Sequence, residues 1–191
     1  MPTSDAELAR RALAGSQAAY SELVERYASS AVNVAVRLVN DRALAEELAQ
    51  EAFVRAFARL GTFDQERRFS SWFFQILHNV SIDYLRRRRV ETVSLDALLT
   101  AGHAGPADDP SASPESEAER TELAQALSEA LGRLRHEFRE AVVLKYQQGL
   151  SVDEIAAILG VPEGTVKTYL YRARKELATI LSAAGWGPAD R

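Results

Sequence analysis

Leu150-Ser151-Val152-Asp153-Glu154-Ile155-Ala156-Ala157-Ile158-Leu159-Gly160-Val161-Pro162-Glu163-Gly164-Thr165-Val166-Lys167 reads as two helices joined by a tight turn. Ser151 with Glu154 has the spacing of a capping box, in which each side chain meets the other residue's free backbone N–H. Gly160 suits a left-handed turn, and Pro162 is expected in the first turn of the following helix, where its missing N–H is not needed. In that second helix Val166, Leu170, Ala173 and Leu177 recur at spacings of four, three and four, so they face inward. Thr165, Lys167, Thr168, Tyr171, Arg172, Arg174 and Lys175 are left on the outer face. This is the layout of a helix-turn-helix whose second helix enters a DNA major groove: polar groups near its start reach base edges, and basic groups further along hold phosphates.

Upstream, residues 69–89 interleave aromatic, polar and basic side chains: Phe69, Ser70, Ser71, Trp72, Phe73, Phe74, Gln75, Ile76, Leu77, His78, Asn79, and then Arg86 through Arg89. Phe63 and Arg67-Arg68 precede them. Helical spacing assigns most of Trp72, Phe73, Ile76, Leu77, Val80 and Tyr84 to a core. The remaining surface suits unpaired bases, which stack on aromatic faces while arginines hold the backbone. Ser70 is expected to cap this helix.

Between residues 44 and 60 the pairs Leu44/Ala45, Leu48/Ala49, Ala52/Phe53 and Ala56/Phe57 recur every four residues, with Asp41 as N-cap and Gly61 as stop. The opposite face carries Glu46, Glu47, Gln50, Glu51 and Val54, with Arg55 beside them. On charge pattern alone this is either solvated surface or a docking face for a basic helical partner. Ser16 caps an earlier helix through Tyr20, Leu23, Tyr27, Val32, Ala35 and Leu38, closed by Asn40-Asp41. In the second half, Leu123, Ala126, Leu127, Ala130 and Leu131, and then Phe138, Val142, Val143 and Tyr146, are expected on apolar helix faces.

The chain has 191 residues, 23 basic and 27 acidic side chains and a net charge of −4. Bulk charge therefore does not bind it to nucleic acid; contacts must be local. Residues 91–118 carry six acidic and no basic groups among Gly102, Gly105, Pro106, Pro110 and Pro114, the composition of a flexible acidic connector. The expected fold is all-α: two small helical domains, residues 1–90 and 119–191, joined by linker 91–118. With no cysteine, disulfides, thiol catalysis and Cys-based metal sites are excluded. His78, His103 and His136 are scattered, and no phosphate loop or metal-ligand spacing is present, so neither an enzyme nor a cofactor is expected. Without a signal segment or an apolar run long enough to span a bilayer, a cytoplasmic protein without membrane insertion is expected.

Together these segments resemble the extracytoplasmic-function sigma factors, the compact group of bacterial transcription initiation factors, over residues 16–90 and 119–182. The resemblance implies that Asp41, Glu46, Glu47, Gln50, Glu51 and Arg55 belong to a helix that binds core RNA polymerase on the β′ clamp helices. It implies minus-ten DNA contacts for Phe63, Arg67, Arg68, Ser71, Trp72, Gln75, His78, Asn79, Arg86 and Arg87, with His78 standing where the family usually has Arg. It implies minus-thirty-five contacts for Arg139, Ser151, Glu163, Thr165, Lys167, Thr168, Tyr171, Arg172, Arg174 and Lys175, with Thr168-Tyr169 in place of the commoner Ser-Arg and Arg139 near DNA or the β flap. The acidic connector resembles a segment threaded through the polymerase's RNA path. Promoter DNA, core polymerase and an anti-sigma factor are the implied partners, and the free protein is expected to be a monomer. A self-sufficient, dimeric helix-turn-helix regulator is the competing reading.

Overall fold

The computed structural model describes residues 3–92 and 114–186, with side chains described for 3–88 and 122–186. Eight α-helices and no strand occur among the described residues. The central stretch of the expected linker, with Asp96, His103, Asp108 and Asp109, lies outside the described residues.

The first four helices are α1 (Asp5–Leu13), α2 (Gln17–Val39), α3 (Arg42–Ala58) and α4 (Phe69–Thr92). Local capping sets most of their starts. Ser4 accepts from the Glu7 amide at 3.3 Å, Ser16 from Ala19 at 3.4 Å and Asp41 from Leu44 at 3.1 Å. Asn40, in the left-handed region at φ 53°, ends α2. Helix α1 has no counterpart among the expected elements. Gly61 is not the stop of α3: the helix ends at Ala58, and Leu60–Thr62 form a 3-10 turn. Nor does Ser70 cap α4, which already begins at Phe69; Ser70 is buried inside its first turn.

The doubled apolar stripe of α3 is buried as its spacing requires: Leu44, Ala45, Leu48, Ala49, Ala52, Phe53 and Ala56 all face the core. Phe69, Phe73 and Phe74 at the base of α4 are fully buried. Phe73 stands 4.5 Å from Phe53 and 5.9 Å from Tyr27 between ring centroids. Rings at these separations add about 0.5–1.5 kcal/mol per pair to the transfer of each side chain from water. Tyr27 also donates its hydroxyl to Asp5, and Arg26 reaches the same carboxylate at 2.5 Å, so α1 is tied down by a polar clasp.

The second unit comprises α5 (Pro114–Arg133), α6 (His136–Val142), α7 (Val152–Leu159) and α8 (Glu163–Ala183). Helix α4 continues into the start of the expected linker, and α5 begins within its end. Val143–Gln147 form a π turn after α6. That wider turn shifts the helical phase: Leu144 is buried and Tyr146 is 60% exposed, against the expectation that Tyr146 shares the apolar face of Val142. Leu134, Phe138, Leu150, Ile155, Ile158, Val166 and Leu170 fill the core between α6, α7 and α8.

The two units touch. Helix α4 lies against α7 and α2 against α6, and the buried apolar residues of both units form one continuous cluster. The connector's length alone did not require this contact.

Candidate nucleic-acid interface

The turn between α7 and α8 is built as its residues dictate. Ser151 Oγ accepts from the Glu154 amide at 3.4 Å, while Glu154 Oε2 accepts from the Ser151 amide at 2.8 Å, completing the capping box. The Ser151 hydroxyl also holds the Asp153 carboxyl below its ordinary value. Gly160 sits at φ 65°, and Pro162 is the N-cap of α8 rather than a residue of its first turn. These contacts fix how α8 leaves the domain.

Lys167, Thr168, Tyr171, Arg172, Arg174 and Lys175 are exposed along one side of α8, and Thr165 is half-buried beside them. Glu163 stands 3.6 Å from Lys167, so the cationic head at the start of the face is partly balanced. Thr168 donates its hydroxyl to the Gly164 carbonyl at 2.9 Å. Tyr169 turns inward, with its ring 5.5 Å from that of Phe138. Tyr171, 58% exposed, is the one large ring on the outer face among the described residues.

The second cluster lies on α4 and the loop before it. Arg67, Arg68, Gln75, Asn79, Arg86 and Arg87 are exposed, while Ser71, Trp72 and His78 are half-buried. Phe63 is buried, with its ring 5.4 Å from Trp72 and 5.5 Å from Phe69, so it supports the loop rather than offering a free stacking face. Arg87 Nε donates to the Asp83 carbonyl at 3.2 Å, and Arg86 stands 4.0 Å from the Asp83 carboxylate. Three members of the cluster face the second unit. Arg68 donates to the Gly149 carbonyl at 3.0 Å, Gln75 to that of Ala157 at 3.3 Å, and His78 Nδ1 meets Glu140 at 2.5 Å.

The third cluster is the outer face of α3. Glu46, Glu47, Gln50, Glu51 and Val54 are exposed. Glu46 pairs with Arg42 at 3.1 Å and Glu51 with Arg55 at 2.7 Å, both one helical turn apart. Beside this face a groove runs between α2 and α3, lined by Val24, Ala28, Val32, Gln50 and Phe53. Asp41 is occupied as a cap.

Arg139, an expected DNA or flap contact, is engaged within the protein. Its guanidinium is half-buried and donates to the carbonyls of Gly132, Leu134 and Arg37, at 2.6, 3.1 and 3.2 Å. Burial, with the nearby Arg37 charge, holds it below the usual arginine range, and burial does the same to Arg37. It staples the ends of α5 and α2. Arg37 and Glu140 were not among the expected site residues. Glu140 is 3% exposed inside the apolar run Phe138–Leu144, and its position one turn after His136 on that buried face was the available signal.

Among the described residues no group of His, Cys, Asp and Glu has a metal-binding arrangement, and no helix is long and apolar enough to cross a membrane.

Residues 23–91 match the family model for sigma-70 region 2, and residues 124–177 match that for sigma-70 region 4. The chain is 35% identical over 170 residues to the ECF RNA polymerase sigma factor SigW of Bacillus subtilis, covering 85% of this chain and 89% of that protein. It is 31% identical over 177 residues to the ECF RNA polymerase sigma-E factor of Escherichia coli, covering 91% and 92% respectively. Among solved structures it is similar to the sigma factor RpoE of Bartonella quintana in complex with the anti-sigma factor NepR. The TM-score is 0.72 and the identity 25%, with 90% of this chain and 98% of that one covered.

Proposed function

The chain belongs to the extracytoplasmic-function sigma factors of the sigma-70 family and acts in promoter-specific transcription initiation, and we propose the following division of labour among its three faces. The polymerase performs the chemistry; the protein selects where it starts.

The exposed acidic side of α3 docks on core RNA polymerase. Glu47, Gln50 and Glu51 supply complementary charge for the β′ clamp helices, and Val54, 64% exposed, supplies the apolar contact that charge alone does not provide. The second unit docks near the β flap and lays α8 in the upstream major groove. There Lys167, Tyr171 and Arg172 meet bases and phosphates, and Arg174 and Lys175 hold the backbone. Thr168 is exposed and its hydroxyl already bonds Gly164, which leaves its methyl group for apolar contact with a thymine methyl. Helix α4 reads the opened strand through Trp72, Gln75 and Asn79, with Arg67, Arg68 and Arg86 on its phosphates. Ser151 and Glu163 act on DNA through the shape of the turn.

The observation that carries this reading is the pairing, in one chain, of a capped helix-turn-helix with a basic outer face and an exposed acidic helix. The isolated basic patches are small and the net charge is negative, so strong promoter binding requires two contacts held together by the polymerase. This disfavours a self-sufficient dimeric regulator, and the free protein is a cytoplasmic monomer. The Bartonella quintana sigma factor was solved in complex with the anti-sigma factor NepR, which supports an anti-sigma factor as the partner that holds this chain inactive.

Run-off transcription with purified core polymerase on genomic promoter fragments tests the proposal. Defined transcripts are expected only when the protein is added. Transcript patterns indifferent to its presence, or tight promoter binding by the free protein at moderate salt, would refute it.

A further inference from the structure

The loop that leads into the strand-reading helix runs from Leu60 to Arg68, and α1 reaches both of its ends. At the near end α1 lies against the 3-10 turn Leu60–Thr62, where Leu60 is buried and the Leu13 side chain stands 3.9 Å from the place of a Cβ on Gly61. At the far end the Tyr27 ring packs 5.3 Å from Phe69, the first residue of α4, and the Tyr27 hydroxyl donates to Asp5 in the first turn of α1. Arg26 donates to the same carboxylate at 2.5 Å and to Glu22 at 2.9 Å. Arg68 is close enough for its charge to act on the Tyr27 phenol. Phe69 carries the contact onward: its ring lies 5.5 Å from Phe63 and 5.6 Å from Trp72, which are 5.4 Å from each other. With nine residues α1 is about 13 Å long, so Asp5 and Leu13 serve opposite ends of the loop. The region 2 match begins at residue 23, and all of α1 lies outside it.

A loop that orders only as it captures a base gives up backbone freedom in that step; ordering it beforehand removes this cost from binding. We propose that α1 is a brace for the strand-reading loop, with Asp5 and Tyr27 as positioning residues. Their clasp holds Phe69, and through it Phe63 and Trp72, in the arrangement that accepts an unpaired base. The inference rests on the functional reading above and deepens it by giving α1 a part in promoter opening. The exposed acidic face of α3 is separate from the brace, so polymerase affinity does not depend on it.

Trp72 and Trp186 are the two tryptophans of the chain, so a Trp186→Phe parent leaves Trp72 as a single reporter beside the loop. In that parent Asp5→Ala is expected to raise acrylamide quenching of Trp72 in the free protein by about twofold or more, as local opening requires. Asp5→Asn keeps an acceptor oxygen for Tyr27 and should stay close to the parent. Equal quenching in all three would overturn the brace, whatever the protein does in transcription. Tyr27→Phe keeps the ring, removes only the hydroxyl and should match Asp5→Ala. The double variant should lose no more than either alone, because all three break one bond; additive losses would remove the clasp from the proposal. With core polymerase, open-complex formation by Asp5→Ala on duplex promoter should fall roughly tenfold, the size of one hydrogen bond to a charged group, and return to within about twofold of the parent on a template whose minus-ten region is already unpaired. Equal losses on both templates, or weakened polymerase binding, would make Asp5 a merely structural residue and overturn the proposal. If the parent itself yields no promoter-dependent transcript, the functional reading fails, and the part of α1 in promoter opening fails with it.

Discussion

Gly160, which ends α7, and Gly164, in the first turn of α8, lie four residues apart, and one substitution applied to both should shift stability in opposite directions. Gly160 occupies the left-handed region at φ 65°, and a Cβ built there meets nothing within 4 Å. The cost of alanine is therefore conformational, not steric. An L-residue in this region loses about 1–2 kcal/mol. The stiffer unfolded chain returns about 0.4–1 kcal/mol. The net loss for Gly160→Ala is about 1 kcal/mol, or about 2–4 °C in Tm for a chain of this size. Asn at this position should lose less, because its side chain tolerates the left-handed region, as Asn40 does at φ 53°. Gly164 is an ordinary helical residue in the first turn of α8, again with open space at its Cβ. Gly164→Ala removes backbone freedom from the unfolded chain at no native cost, a gain of about 0.5 kcal/mol. Urea and thermal unfolding of the two variants give both signs, with the midpoint moving at constant m-value. If Gly160→Ala matches or exceeds wild type, or if both variants lose equally, the left-handed turn is not what holds α7 and α8 at their angle.

Phe73→Ala empties the space between Phe53, Phe69 and Phe74 and should cost about 3–5 kcal/mol in urea unfolding; a loss under 1 kcal/mol would mean the cluster collapses freely. Burial, and then the hydrogen bond to Asp5, raise the Tyr27 phenol above its ordinary value of 10.0. The neutral form is favoured by folding, so this contribution is complete below pH 10 and lost as pH rises toward the folded value. Absorbance titration of the native protein should show a phenol that ionises well above pH 10 and that is missing from Tyr27→Phe. Reversing Glu47 and Glu51 to Arg should weaken core polymerase binding about tenfold or more, with unfolding nearly unchanged, since both are exposed and the Glu51–Arg55 pair contributes only about 0.3–0.5 kcal/mol. Lys167→Ala should lower the salt dependence of holoenzyme–promoter binding by about one counterion.

Interactions that close within one helical turn were legible in the sequence. Ser151 with Glu154, Asp41 with Leu44, Ser16 with Ala19 and the left-handed Gly160 all involve partners at most a few residues apart, so residue type and spacing suffice to name them. The buried pairs of α3 and the outward basic face of α8 were legible for the same reason: helical period alone divides the two faces. Reading failed where one turn departs from that period. Five-residue spacing at Val143–Gln147, marked by the Gln148 amide bonding the Val143 carbonyl, turned Tyr146 outward although its neighbours predicted the opposite. Gly61 looked like a helix stop, but the chain had already turned at Arg59.

Residues 150–175 by themselves determined that this chain carries a helix-turn-helix with a cationic outer face, because capping, turn geometry and amphipathic phase are local properties. Only the tertiary structure decided which partners His78, Arg139 and Glu140 meet. Each reaches a partner 62 or more residues away, His78 to Glu140 and Arg139 to Arg37. Such contacts depend on how two units come together and leave no periodic trace in either segment.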